Sequence, residues 1–227
     1  MTFVTNCEAI AQTAMASVRP DLSDKYATVI RFLAGQPSAA SAMRGSSAPA
    51  IGSAEYVRRQ ADAFATSRDP RSPHPPSTVP DVMVSVILNE YFDIPQADLE
   101  RVKREHLLSM GAENLVGELL ERYLASVLEP RGWVWCSGAL VKAVDFVKPP
   151  EITGGRWRLL QVKNRDNSEN SSSSAIRAGT EIEKWFRTFS RKSGSNWAAF
   201  PDTSLRQHLS EEAFKNFVRQ YLRTLRL

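Results

Sequence analysis

The spacing of apolar residues divides the chain into a stretch of helical period and a later stretch of strand period. SDKYATVIRFLAG (Ser23 to Gly35) opens on a cap-like serine, carries Tyr26, Val29, Ile30 and Leu33 at helical spacing, and stops at a glycine. SAEYVRRQADAFA (Ser53 to Ala65) has the same character, and the small residues between the two read as a loop. SRDPRSPHPPSTVPD (Ser67 to Asp81) is too rich in proline for a helix or a central strand, so it reads as a surface connection. A DNA-contacting arm using Arg68 and Arg71 is its second reading. Helical spacing returns from Val82 to Phe92 and from Pro95 to Met110. It returns again from Gly111, where Leu115, Leu119, Leu120, Tyr123, Leu124, Val127 and Leu128 form a stripe that Pro130 and Gly132 end.

The period then shortens to two. WVWCSG (Trp133 to Gly138), VKAVDFV (Val141 to Val147) and RWRLLQVK (Arg156 to Lys163) read as strands, with turns at SGAL and KPPEITGG. A helix is expected over Ile176 to Arg191, burying Ile182, Trp185, Phe186 and Phe189. A short strand is expected at NWAAF (Asn196 to Phe200). The last helix is capped by Ser210 and turns Phe214, Phe217, Val218 and Tyr221 inward. The order predicts an α/β (α+β) fold, a mixed central β-sheet flanked by helices. A helical region covers 1–110 and the sheet-bearing core covers 111–227.

Composition narrows the setting. The 227 residues suffice for one sizeable core or a core with a helical appendage. No run approaches the roughly 20 apolar residues of a membrane span, and MTFVTNCEAI lacks the pattern of a secretory signal. Two cysteines imply no disulfide framework, which points to a reducing cytoplasm. A net charge of +4 and a pI of about 9.2 suit a polyanionic partner without requiring one. The three histidines show no zinc spacing, and no phosphate-cradling Gly-Lys loop is present, so no nucleotide cofactor is expected. Cys136 and the five tryptophans read as packing residues.

Candidate chemistry lies where the strands carry polar residues out of pattern. Alternation puts Gln161 and Lys163 on one face of their strand with Val162 on the other. If this strand pairs with the one before it, Asp145 approaches the same place, and Glu118 on the preceding helix can add a second carboxylate. Such a set suits phosphodiester hydrolysis. A divalent cation, normally Mg2+, sits on hard oxygens (Asp145, the Gln161 carbonyl, Glu118), and a lysine stands near the attacking water and the phosphate. Taken alone, a D…QxK pattern is weak; its placement on adjacent strands, after an acidic helix and before basic residues, raises its weight.

The blocks AENLVGELLERYL, GWVWCSG, VKAVDF, LLQVKNRDNSENSSSSAIRAGT and EKWFR resemble the SinI group of type II restriction endonucleases, within the PD-(D/E)xK nuclease superfamily. The resemblance runs through most of the chain. It implies a magnesium-dependent homodimer that cuts double-stranded DNA within GG(A/T)CC, with Asp145, Gln161 and Lys163 catalytic and Glu118 accessory. One departure is that Gln161 stands where the superfamily usually has its second acid, which leaves the number of metal ions open.

A catalytic strand of this type ends near the DNA backbone, so the polar run past Lys163 reads as a recognition segment over 164–177. Arg165 can take guanine O6 and N7 together, Asp166 and Glu169 can accept from cytosine N4, and Asn164, Asn167 and Asn170 suit several base edges. Ser168 and its neighbours suit phosphates, and Arg177, Lys184, Arg187, Arg191 and Lys192 read as backbone clamps. A bare polar loop is the plain alternative. Three functions remain open from the residues: a site-specific endonuclease leaving 5′-phosphate ends (G^GWCC), a structure-specific repair or junction nuclease of the same fold, and a non-catalytic sequence-specific DNA-binding protein.

Overall fold

The computed structural model describes residues 2–152, 154–166 and 181–226. Three helices, α1 (Cys7–Val18), α2 (Ser23–Gly35) and α3 (Ala54–Thr66), form a layer at the amino end. The Ser53 hydroxyl accepts from the Tyr56 N–H at 3.1 Å and caps α3. Ser23 does not cap α2 as expected. A 3-10 turn over Pro20–Leu22 runs straight into the helix, leaving Ser23 inside its first turn.

The expected helices after Pro95 and after Gly111 are one helix. Following α4 (Val82–Glu90), α5 (Leu99–Leu128) is unbroken for 30 residues, about 45 Å at 1.5 Å per residue. The boundary expected between 110 and 111 therefore falls inside it. Gly111 lowers helix propensity by only about 1 kcal/mol relative to alanine, which does not break a helix packed over its second half. Its use is a close approach: a β-carbon there would stand 2.9 Å from the His74 carbonyl oxygen of the proline-rich segment.

Among the described residues four strands, β1 (Val134–Trp135), β2 (Phe146–Lys148), β3 (Arg158–Arg165) and β4 (Ile182–Thr188), form one mixed sheet in that order. It is antiparallel across the first two pairs and parallel between β3 and β4. Alternate residues feed two cores. Val134, Val147 and Leu159 pack with α1, α2 and α3. Trp135, Phe146, Leu160, Val162 and Trp185 pack with α5 and with the last helix, α6 (Glu211–Thr224). Helices thus cover both faces, in the α/β class the pattern predicts. Ser210 caps α6, accepting from Ala213 N–H at 3.1 Å, and Phe214 is buried beneath it.

Three local expectations change. The first two strands are shorter than their apolar runs, because Gly138, Ala139 and Ala143 take positive φ and turn the chain between them. Ser41 N–H and Lys142 N–H tie that turn to the Leu140 and Ala39 carbonyls instead. The expected helix over 176–191 is β4 in its described part; residues 167–180 lie outside the description. The ladder on β3 overrides a 3–4–7 spacing of apolar residues, and only Trp185 of the four is buried. NWAAF is a 3-10 turn (Trp197–Ala199) rather than a strand.

Candidate active site

Asp145 enters the sheet on the far side of that left-handed turn. Its N–H donates to the Leu160 carbonyl at 2.9 Å and its carbonyl accepts from Cys136 N–H at 2.8 Å. The side chain completes what the short β2 leaves undone: Asp145 Oδ2 accepts from the Val162 N–H at 2.6 Å. This bond fixes the carboxylate against β3 between Gln161 and Lys163 in sequence. Gln161 is buried and held by interactions of its own. Lys163, two residues further along the same face, is exposed.

The charges show which groups share a field. Burial pushes the Asp145 carboxyl up to about 6, although the Val162 bond and the Lys163 charge both pull it down. The acid beside it is Glu121 of α5. Burial and then the Asp145 charge push Glu121 up to about 7, and Glu118 adds to the rise. The Trp135 indole, donating to Oε2 at 2.9 Å, and Lys163 oppose it. Glu121 on α5, Asp145 just before β2 and Lys163 near the end of β3 therefore lie within one another's electrostatic field.

Glu118 is occupied differently. Its Oε1 accepts from Arg122 Nε at 2.9 Å and Nη2 at 2.7 Å, and its Oε2 from Arg71 Nη1 at 3.1 Å. The buried Arg122 donates in turn to the carbonyls of Ser67, Arg68 and Asp69. Glu118 thus braces the arginine that pins the start of the proline-rich segment. Arg68 is locked there as well, paired with Glu129 at 2.7 Å and bonded to the Trp135 carbonyl and Ser137 hydroxyl. It lies over the rings of Phe64 and Trp135, which leaves Arg71 alone to serve as an arm.

Sequence reasoning missed Glu121, and the signal was present. At 100° per residue Glu121 falls about 20° from Leu128 at the edge of the apolar stripe, whereas Glu118 falls about 80° away. Trp135, which Glu121 anchors to, is buried in the second core.

Of the expected DNA-contacting residues, Arg165 and Lys184 are exposed, and Lys184 stands in register beside Gln161. Arg187 is committed internally: Nε donates to Asn164 Oδ1 at 3.0 Å, Nη1 to Glu211 at 2.6 Å, and the guanidinium covers the Phe214 ring. Asp166 accepts from the Ser190 N–H at 2.7 Å, and Ser190 holds its carboxyl below the usual range. Asn167, Ser168, Glu169, Asn170 and Arg177 lie outside the described residues.

Residues 7–224 match a family model described as SinI restriction endonuclease. The chain belongs to the SinI restriction endonuclease family. It is 52% identical over 221 residues to the type II restriction enzyme Eco47I of Escherichia coli, covering 97% of this chain and 96% of that one. It is 50% identical over 225 residues to the type II restriction enzyme SinI of Salmonella infantis, covering 99% and 97%. Of the three classes of function left open by the residues, this selects the site-specific endonuclease: the SinI-family chain is a type II site-specific deoxyribonuclease.

Type II restriction enzymes generally use a divalent metal, and the site fits one. Two carboxyls stand desolvated, burial raising both and the Asp145 charge raising Glu121 further, and a cation beside them offsets that cost. Among the described residues no group of three or more His, Cys, Asp or Glu side chains could enclose a metal ion. A cation here would have one or two carboxylates, Asp145 and Glu121, as its charged protein donors. That is how Mg2+ is ordinarily held. Among the described residues no helix is long and apolar enough to cross a membrane.

Proposed function

We propose that the chain is a Mg2+-dependent endonuclease that cuts duplex DNA at GG(A/T)CC after the first guanine, acting as a homodimer with one site per strand. The observation that carries the catalytic part is the Asp145 carboxylate, bonded at 2.6 Å to the Val162 N–H of β3 one residue before Lys163, with the desolvated Glu121 within its field. Asp145 and Glu121 would hold the ion, with Gln161 beside them and Glu118 bracing the helix behind. When bound, the ion supplies Lewis acidity to the scissile phosphate and a more acidic water. Asp145 keeps its position through the Val162 bond and offers Oδ1 to the site. Glu121, held through Oε2 by the Trp135 indole, presents its second oxygen and gives up its proton as the cation enters. Lys163, exposed at the strand end, donates to a phosphate oxygen and to the attacking water. It thereby stabilises charge that develops only as the phosphorus becomes five-coordinate. The water oxygen attacks phosphorus in line and loses its proton to solvent, the P–O3′ bond breaks, and the 3′-oxygen takes a proton from solvent, which gives 5′-phosphate and 3′-hydroxyl ends.

The expected contacts follow the same frame. Arg165, with Asn164, Asp166 and residues 167–170, would read bases past the strand end, and Lys184 and Arg177 would meet phosphates. Arg187 supports Asn164 from behind. The target sequence and the two-fold arrangement are supported by the resemblance to the SinI group, since a symmetric site asks for a symmetric pair of chains.

The test is digestion of a mapped plasmid with Mg2+ and sequencing of the ends. Discrete fragments with GWC overhangs at every G^GWCC, abolished by EDTA and by Lys163→Ala while DNA binding persists, are expected. Cutting at branched or nicked structures, or cutting unaffected by EDTA, would overturn the reading.

A further inference from the structure

The apolar surface of the molecule is distributed unevenly. Of the twelve large hydrophobic side chains exposed among the described residues, ten lie between Val79 and Met110. They belong to α4, to the residues on either side of it (Val79, Tyr91 and Phe92) and to the first half of α5. No residue of α4 is buried, and between Leu99 and Gly111 neither is any residue of α5. Met83, Ile87, Tyr91 and Leu108 each show more than half of their surface to solvent. A helix pair that buries so little against its own chain has an apolar face left over.

The hairpin is also electrostatically unlike the rest. Residues 78–110 contain six Asp and Glu and three Lys and Arg, a net of −3 in a chain of net +4, so the remainder carries +7. Arg101 is paired with Asp98 and Glu105, and Lys103 with Glu100. An acidic, apolar surface, its charges partly offset by these pairs, repels a polyanion and an anionic lipid surface alike, and suits a protein partner. Its area also fits one. Multiplying the exposed fractions by the roughly 150–250 Å² that a large side chain offers gives on the order of 1,000 Å², against the ~800 Å² per partner of a standard stable interface.

We infer that this face, α4 with the first three turns of α5, is the isologous surface on which two copies of the chain pair. The choice of a second copy rests on the reading above, in which one site per chain must serve two strands related by a two-fold axis. The basic remainder of each subunit is then left free for DNA.

Sedimentation equilibrium of the full chain without DNA measures the pairing directly. The wild-type chain should sediment at twice 25.3 kDa at micromolar concentration. Met83→Glu with Ile87→Glu, both fully outside the core, should raise the dimer dissociation constant at least 100-fold. Because those variants could unfold α4, hydrogen exchange of the wild-type chain supplies a second reading. Amides of 82–90 and 99–110 should lose protection on dilution through the dissociation constant, while those of α2 should not. A chain that stays monomeric at concentrations where it cuts duplex DNA overturns the inference and leaves the nuclease reading standing. So does a dimer untouched by the double variant with no protection change in the hairpin, since the face then serves a different partner. A dimer dissolved by the variants in a chain that cuts no DNA keeps the surface and removes the nuclease reading.

Discussion

A carboxyl that stays half protonated near neutral pH is poorly suited to an ion pair and well suited to taking up a cation. Glu121, pushed up to about 7, is in that condition, Asp145, pushed up to about 6, lies closer to its charged form, and Glu118, one turn from Glu121, is instead paired with Arg122. The two acids of α5 should therefore fail differently. Glu121→Gln should lower kcat about 10–100-fold and raise the Mg2+ requirement, the scale of losing one metal-orienting group, with little change in melting temperature. Glu118→Gln should instead cost about 1–3 kcal/mol of stability by removing a charged partner from a buried arginine, seen as a lower urea midpoint with a smaller effect on kcat. Equal effects on kcat would refute the division of roles. Arg165→Ala should lose about 1–3 kcal/mol of discrimination at one base pair, read as cutting at near-cognate sites; an unchanged site profile would remove Arg165 from recognition. Asp145, Gln161 and Lys163 could be picked from the sequence because polar residues break a two-residue apolar rhythm. Glu121 could not be picked by neighbourhood alone, since its meaning depends on the Trp135 indole, 14 residues away in another element.

At the scale of elements, legibility followed how far each element depends on its own sequence. α2, α3, α4 and α6 show their apolar spacing locally and lie where that spacing puts them. β4 does not: its spacing suits a helix, and only the parallel ladder on β3 makes it a strand. The two short strands were read too long because alanine carries no warning of positive φ, and Ala139 and Ala143 adopt it under tertiary constraint. α5 shows the reverse error, a glycine taken for a boundary. Alanine at position 111 should raise helix propensity and yet destabilise the protein by about 1–3 kcal/mol, because its methyl would meet the His74 carbonyl in a packed crossing. A higher melting temperature for Gly111→Ala would show that the proline-rich segment yields without cost.

For the whole molecule, the same acids set a pH dependence. In the folded chain Asp145 titrates at about 6 and Glu121 at about 7, above the ordinary values near 4 of an unfolded chain. A raised folded value means that the native state binds the proton more tightly. The stability it contributes is complete below about pH 4 and is lost as pH rises through 6 to 7, on the order of a few kcal/mol for the pair. Glu129 works in the opposite sense: despite burial, Arg68 and Lys25 hold it below its usual value, so its contribution fades as pH falls through the acid range. In EDTA, the urea midpoint should pass through a maximum at mildly acid pH and decline toward pH 8. Millimolar divalent cation should restore it at pH 8 and add little at pH 5, where protons already occupy the acids. A midpoint flat from pH 5 to 8 in EDTA would mean that neither carboxyl is strained.

The unbroken run of α5 has a mechanical implication. The same stiff rod bears the greasy outer face at Leu108 and, thirteen residues or about 20 Å further along, the acid Glu121. No loop intervenes to absorb a shift, so if two copies pair on that face, movement of one on the other would reach the proposed cutting centre through the rod. In such a pair the stagger between the two severed strands would be a ruler length set by helix geometry, and whatever tilted the rods at one end would reset the spacing of the blades at the other.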